Sequence, residues 1–325
     1  MITIKQLSIW RLIFLIGVGV MSAQTIAGTP ARFYWKTLVG SKAVPVIDMS
    51  MTGNVNLADP SHFVIPNAKV EAHIATSGFV QTFPLAERSS MIAVLLPMGN
   101  ISGEGNVFGQ TFSENVSGFG DPMVEFTINL IGAKAIKNIP DVIRYEPGFS
   151  LDLLADVAFP IGEYDNDKTL NIGQNRWYGR IGTPIVWQFG PWIPGQKTTL
   201  EFLPQVWMFA DNDDFVGRTL STDPMYELDV HLTHDFHKDL WGSVDLTMIS
   251  GGEATLDGVT GEEIDMVTAG FTLGYHINEN IQVTAGYSSS INDNDSTDLH
   301  MDTFMLTFVF GWHPLIDGMN RLKEN

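Results

Sequence analysis

The sequence predicts an all-β fold, a closed antiparallel up-and-down transmembrane β-barrel of about 12 strands. Three observations lead there. Between Val46 and Trp312 the chain repeats, about twelve times, a stretch of roughly ten residues in which every second side chain is apolar. Beyond a secretory-type leader, no apolar run approaches the ~18 residues of a membrane helix, the longest being Met91 to Met98. Short and long connections alternate, as tight periplasmic turns and longer external loops do in such barrels.

Residues 1–27 read as a signal peptide: basic Lys5 and Arg11, the apolar run Leu12 to Val20, then small residues suited to cleavage near Ala23 or Ala27. As an anchor this run is too short for about 30 Å of hydrocarbon. Its removal takes two positive charges from a chain whose formal charge is −19. Residues 28–45 sit outside the strand pattern and carry Arg32-Phe33-Tyr34-Trp35-Lys36. Two readings stay open for them: a periplasmic cap at the barrel mouth, or an inward plug whose Arg32 and Lys36 meet luminal carboxylates.

The barrel itself is expected over 46–313, with a periplasmic tail over 314–325. Strands are expected at 46–54, 69–84, 88–100, 118–131, 148–160, 175–189, 198–210, 224–236, 240–251, 265–276, 280–290 and 301–313. Short links such as Glu87, Lys238-Asp239 and Asn278-Glu279 alternate with long ones at 55–68, 101–117, 161–174, 211–223, 252–264 and 291–300. The links 132–147 and 190–197 fall on the short side yet are longer, and the first suits a helical turn. An even strand count places both chain ends in the periplasm. The chain has no cysteine, so its hydrogen-bond ladder must hold it, and closure leaves that ladder no open edge.

Successive side chains of a strand point to opposite faces, so facing follows from parity. In Tyr226 to Phe236 one set is Tyr226, Leu228, Val230, Leu232 and Phe236, and the other is Glu227, Asp229, His231, Thr233 and Asp235. One set suits hydrocarbon and the other water. The same rule assigns to the lumen Glu71, His73, Glu125, Asp152, Asp156, Arg176, Arg180, Glu201, Gln205, Glu227, Asp229, His231, Asp235 and Asp245. Carboxylates dominate that set. Arg176 and Arg180 are expected to pair across the lumen with acids such as Asp156, Glu125 or Glu201, because buried charges must be paired or hydrated. Trp177, Trp187, Trp192, Tyr275, Tyr287 and Trp312 lie near strand ends, where amphipathic rings suit the headgroup level.

The external connections between 161 and 300 are rich in acids, from Glu163, Asp165 and Asp167 to Asp293, Asp295 and Asp298. Such a crown repels anions and nucleic acid and gathers cations. Asp165-Asn166-Asp167, Asp211-Asn212-Asp213 and Asp293-Asn294-Asp295 resemble fragments of calcium loops, but none completes the pattern with the sixth-position glycine and distal glutamate. His231, His234 and His237 on a strand point to alternating faces, so no zinc site is expected. No Gly-x-Ser-x-Gly elbow or phosphate-loop lysine occurs, and neither a catalytic residue nor a cofactor is assigned.

Several runs resemble a known family. Gly118-Phe119-Gly120-Asp121-Pro122, Asn129-Leu130-Ile131-Gly132, Arg144-Tyr145-Glu146-Pro147-Gly148, Pro160-Ile161-Gly162-Glu163-Tyr164 and Leu170-Asn171-Ile172-Gly173-Gln174-Asn175-Arg176-Trp177 are similar to the transporter-like family named for a meta-pathway of phenol degradation. The likeness runs from about Val70 to His313. It implies a bacterial outer-membrane barrel that passes small hydrophobic or aromatic solutes, and it brings no catalytic residues. The partners expected are outer-membrane lipid, lipopolysaccharide, the barrel-assembly machinery and a small solute. The alternative is a shut structural or surface-interaction barrel with acidic external loops.

Overall fold

A computed structural model describes residues 28–54, 69–107, 110–146, 148–261, 263–291 and 299–315. The expected signal peptide, the Asp293-Asn294-Asp295 cluster and the tail beyond 315 lie outside the described residues. The strands are β1 (Lys42–Gly53), β2 (Lys69–Leu85), β3 (Arg88–Val107), β4 (Gln110–Phe119), β5 (Met123–Ile131), β6 (Phe149–Ala158), β7 (Tyr178–Gly182), β8 (Ile185–Phe189) and β9 (Thr198–Phe209). They continue as β10 (Asn212–Phe215), β11 (Arg218–Thr222), β12 (Met225–Asp235), β13 (Leu240–Gly251), β14 (Ala254–Leu256), β15 (Val259–Thr260), β16 (Ile264–His276), β17 (Ile281–Ser290) and β18 (Met301–Trp312).

Twelve antiparallel staves close the barrel, with β4 and β5 forming one broken stave and β7 and β8 another. Closure is made by β1 against β18, in register from Lys42 opposite Trp312 to Gly53 opposite Met301. Every stave is thereby paired on both sides, which satisfies backbone groups that lipid could not. The staves follow the expected strands closely, and three differences have physical causes. Pro122 and Pro184 cannot donate to the ladder, so the staves expected at 118–131 and 175–189 are each interrupted there. The segment expected as a loop at 101–117 is instead a hairpin: β3 and β4 stay in register from Met98 opposite Phe119 to Val107 opposite Gln110. Above the hydrocarbon a ladder needs no apolar face, and glycines at 99, 103 and 105 erase the alternation. Finally, the loops at 211–223 and 252–264 pair as a separate small sheet, β10-β11-β14-β15, over Phe215, Leu220 and Ala254.

The link at 132–147 holds a short helix, α1 (Ile139–Arg144). Asn138 caps it by accepting from the Asp141 N–H at 3.0 Å, and Pro140 occupies the first turn, where its missing donor costs nothing. At the β2–β3 turn Ala86 and Glu87 both take positive φ, 48° and 64°, the geometry of a two-residue hairpin matched to strand twist.

The outer face is apolar. Val46, Phe79, Val94, Leu153, Leu232, Val244, Phe271 and Phe308 all point outward and are exposed. A continuous belt of this size belongs in lipid. Trp177, Trp187, Tyr275 and Tyr287 lie on the outer face as expected of a girdle. Trp192 does not: it turns in against Trp35, with ring centroids 5.0 Å apart, because the link 190–197 folds under the barrel. Glu71 and His73 also reverse the parity assignment. Val70, Ala72 and Ile74 take the inside of β2, while His73 faces outward with Asp48, 3.1 Å away. Charge is a poor guide to facing at that end of β2, where the pairing with the tall β3–β4 hairpin decides it.

Candidate functional site in the lumen

The lumen wall has three sectors. From β1 to β3 the inward side chains are apolar, among them Ala43, Ile47, Met49, Met51, Ile74, Ala93, Leu95 and Ile101. From β5 to β12 the ionic and amide-bearing ones gather, among apolar neighbours such as Leu154, Leu203 and Trp207: Glu125, Asn129, Asp152, Asp156, Arg180, Glu201, Gln205, Glu227, Asp229 and Asp235. From β13 to β18 they are largely hydroxyls and glycines, including Thr247, Thr268, Thr272, Thr284, Thr303 and Thr307. Carboxylates therefore dominate one sector rather than the whole interior. The sequence reading missed the other two because apolar and threonine positions look alike on either face of a strand.

Arg180 is the hub of the ionic sector. Its Nε donates to Asp156 Oδ2 (2.6 Å), its two terminal nitrogens to Gln205 Oε1 and to Glu125 Oε2 (3.0 Å), and its backbone N–H to Asp156 Oδ1 (3.0 Å). The expected pairing with Asp156 and Glu125 is present. The guanidinium also lies over the Trp207 ring, 5.1 Å from its centroid, and Trp207 Nε1 donates to Glu227 Oε2 at 2.7 Å. Trp207 shares the parity of Glu201 and Gln205, the one signal that could have named it. Arg176 sits apart, where Gln174 (3.2 Å) and Thr222 (2.8 Å) accept from it and the Phe209 ring lies 4.9 Å away. Glu201, offered as a partner for the arginines, instead serves the N-terminal segment.

That segment, residues 28–41, runs inside the barrel along the ionic sector. Thr29 N–H donates to Asp229 Oδ2 (3.0 Å), and Arg32 N–H to Glu201 Oε2 (2.8 Å). The Arg32 side chain reaches Asp235 (2.7 Å) and Thr233 (3.0 Å), Trp35 Nε1 donates to Glu201 Oε1 (2.7 Å), and Lys36 pairs with Asp152. Arg32 is also sandwiched between Trp35 and Trp241, at 4.3 and 4.4 Å from their centroids. Phe33, Tyr34 and Trp35 join the apolar core. At the periplasmic rim Val39 N–H donates to Ile136 O (2.8 Å) and Gly40 N–H to Thr82 O (2.9 Å), tying the segment to the α1 link and to β2. Two narrow cavities flank it, of about 30 Å³ against β1–β3 and about 40 Å³ against β12–β18.

At the opposite end the runs that carry the family likeness fold onto one another. Asp121 accepts from Gly162 N–H (2.9 Å) and Gln174 N–H (2.7 Å), and Glu114 from Thr169 N–H (3.0 Å) and Leu170 N–H (2.8 Å). Leu170 and Ile172 are thereby buried beneath the external loop 161–174. A Cβ at Gly162 would stand 2.6 Å from the Gly120 carbonyl carbon, so position 162 needs glycine for the two backbones to approach this closely. Two further residues assigned to the lumen from the sequence, His231 and Asp245, are brought together between β12 and β13: Nδ1 of His231 lies 2.7 Å from Asp245 Oδ1.

Closed staves, an apolar outer belt and an ionic interior define an outer-membrane β-barrel. The chain belongs to the family described as "Putative MetA-pathway of phenol degradation", which matches residues 30–308. Among solved structures it is similar to the COG4313 outer membrane channel from Pseudomonas putida F1, with a TM-score of 0.71 and 18% identity, over 88% of this chain and 100% of that one. The β-domain of the Bordetella autotransporter BrkA gives a TM-score of 0.48 at 8% identity, over 84% of this chain and 100% of that one. Among curated proteins none matches the chain in sequence.

Proposed function

We propose that the barrel is a gated channel for small, uncharged hydrophobic or aromatic solutes, shut in the conformation described by residues 28–41 acting as a plug. One observation carries this reading: the segment lies in the lumen, and its polar side chains, Arg32, Trp35 and Lys36, are held by Asp235, Glu201 and Asp152 of the ionic wall. The apolar and hydroxyl walls carry few charges and suit an uncharged solute once the segment leaves. The family's description, phenol degradation, agrees with a solute of that class. A plug held mainly by side chains can leave without unfolding the barrel, since the staves pair with one another all round and its backbone bonds to β2 and the α1 link are confined to Val39, Gly40 and Ser41 at the rim.

Planar-bilayer recording of the chain lacking 28–41 tests the idea. The full-length protein should conduct rarely and the shortened one steadily, with Arg32→Ala and Lys36→Ala together giving an intermediate, flickering current. Unchanged conductance in both variants removes the plug and leaves the shut structural barrel, which the Arg180 network alone would then hold closed.

A further inference from the structure

We propose that the slot between residues 28–31 and strands β12 to β18 binds the hydroxyl group of a small uncharged solute, with His231 Nε2 and Thr303 Oγ1 as its two contacts. The proposal rests on the channel reading and names, for its solute, the site that reads an O–H. Asp245 fixes the histidine. One of its carboxylate oxygens faces His231 Nδ1 at 2.7 Å and the other accepts from Thr272 Oγ1 at 2.8 Å. A carboxylate only accepts, so Nδ1 carries a proton committed to Asp245, and Nε2 is the ring atom left for a ligand. That atom is buried and has no partner among the described residues, and the same is true of Thr303 Oγ1. Both residues border the same slot, and His231 and Thr303 are only 7% and 3% exposed. Buried polar atoms are almost always satisfied, so two unmet ones facing one cavity call for a ligand or water.

The rest of the lining suits a flat apolar body behind the hydroxyl. Gly270 and Gly286 offer bare backbone on adjacent strands, and Met305 adds a polarisable thioether. With residues 28–31 seated the slot measures about 40 Å³, room for about three water-sized spheres. A ring enters only as that segment lifts. A solute that binds the lifted state better than the seated one shifts the barrel toward it, so the ligand of this site is also its opener.

The test uses full-length protein in detergent with ¹⁵N-labelled histidine, titrated with phenol and, as a control of the same shape without the O–H, with anisole. Phenol should move the His231 Nε2 resonance saturably and anisole should not. Thr303→Val, nearly isosteric, should weaken the response about fivefold, the worth of one hydrogen bond. Deleting 28–31 should tighten binding, since no wall then has to move. Retained heat-modifiable migration in gels shows that each variant is a folded barrel. Equal shifts with anisole, no shift with either probe, or a response confined to the shortened chain would each overturn the proposal. None of these outcomes depends on conductance, so the site can fail while the channel reading stands.

Discussion

Arg180 shows what a single charge does in this interior. Arg180 is 3% exposed and holds Asp156 and Glu125, both buried, so its charge is met by carboxylates where water does not reach. Arg180→Met leaves two carboxylates uncompensated, and a loss of about 3–5 kcal/mol is expected from breaking such a buried arrangement. Urea unfolding followed by gel migration would measure it. The triple variant with Glu125→Gln and Asp156→Asn should recover most of the loss, because no charge is then stranded. Lys197, in the link beneath the barrel, is a different case. It is buried between Trp192 and Trp35, 4.9 and 5.6 Å from their centroids, and burial pushes its ammonium down to about 7. An unfolded lysine titrates near 10.4, so from pH 7 upward the unfolded chain binds more protons than the folded one. Stability should therefore rise with pH between about 7 and 10, by up to roughly 1.4 kcal/mol per unit from this group. Melting curves of wild type and Lys197→Met across that range should diverge in slope; parallel curves would rule out Lys197 as the source.

Among the elements, the staves were legible in the sequence and their ends were not. β12 reads at sight because its two faces differ in every pair from Glu227 to Leu232, whereas β2 misleads because Glu71 and His73 sit where charge does not mean lumen. The hairpin above Met98 and the small sheet around Leu220 left no period to find, since neither has a lipid face. The external loop 161–174 is fastened at both ends through one carboxylate. Asp121 alone receives backbone N–H groups from both of its ends, at Gly162 and Gln174. Asp121→Ala removes two charge-assisted hydrogen bonds, each worth about 1.5–3 kcal/mol, and Gly162→Ala drives a methyl into the Gly120 backbone. Both should release the loop and leave the staves intact. Tryptic cleavage at Lys168 would report it, with faster cutting expected in each variant while gel migration of the uncut barrel stays native. Cleavage at the wild-type rate would mean that Glu114, through Thr169 and Leu170, holds the loop unaided.

For the whole molecule the charge distribution decides what an opened barrel would pass. The N-terminal segment brings Arg32 and Lys36 into a sector that already holds Glu125, Asp152, Asp156, Glu201, Glu227, Asp229 and Asp235 against Arg180. Taking the plug away removes the two cations and exposes Asp152, Asp235 and Glu201 to water. Above them stand Asp165, Asp167, Asp211, Asp213 and Asp214, exposed at the external mouth. A narrow passage with one sign of charge on its wall and at its entrance concentrates the opposite ion. The barrel without residues 28–41 should therefore be cation-selective, with a reversal potential in a potassium chloride gradient displaced toward that of potassium. High salt should reduce the displacement, because the Debye length shrinks from about 10 Å at 0.1 M to about 3 Å at 1 M. Asp152→Asn with Asp235→Asn should reduce it further, while neutralising Asp165 and Asp167 should act mainly at low salt, where the mouth still projects its field. An unselective current would mean that ions travel along the threonine wall of β16 to β18, beyond reach of the carboxylates, and that the same uncharged route serves solute and ion alike.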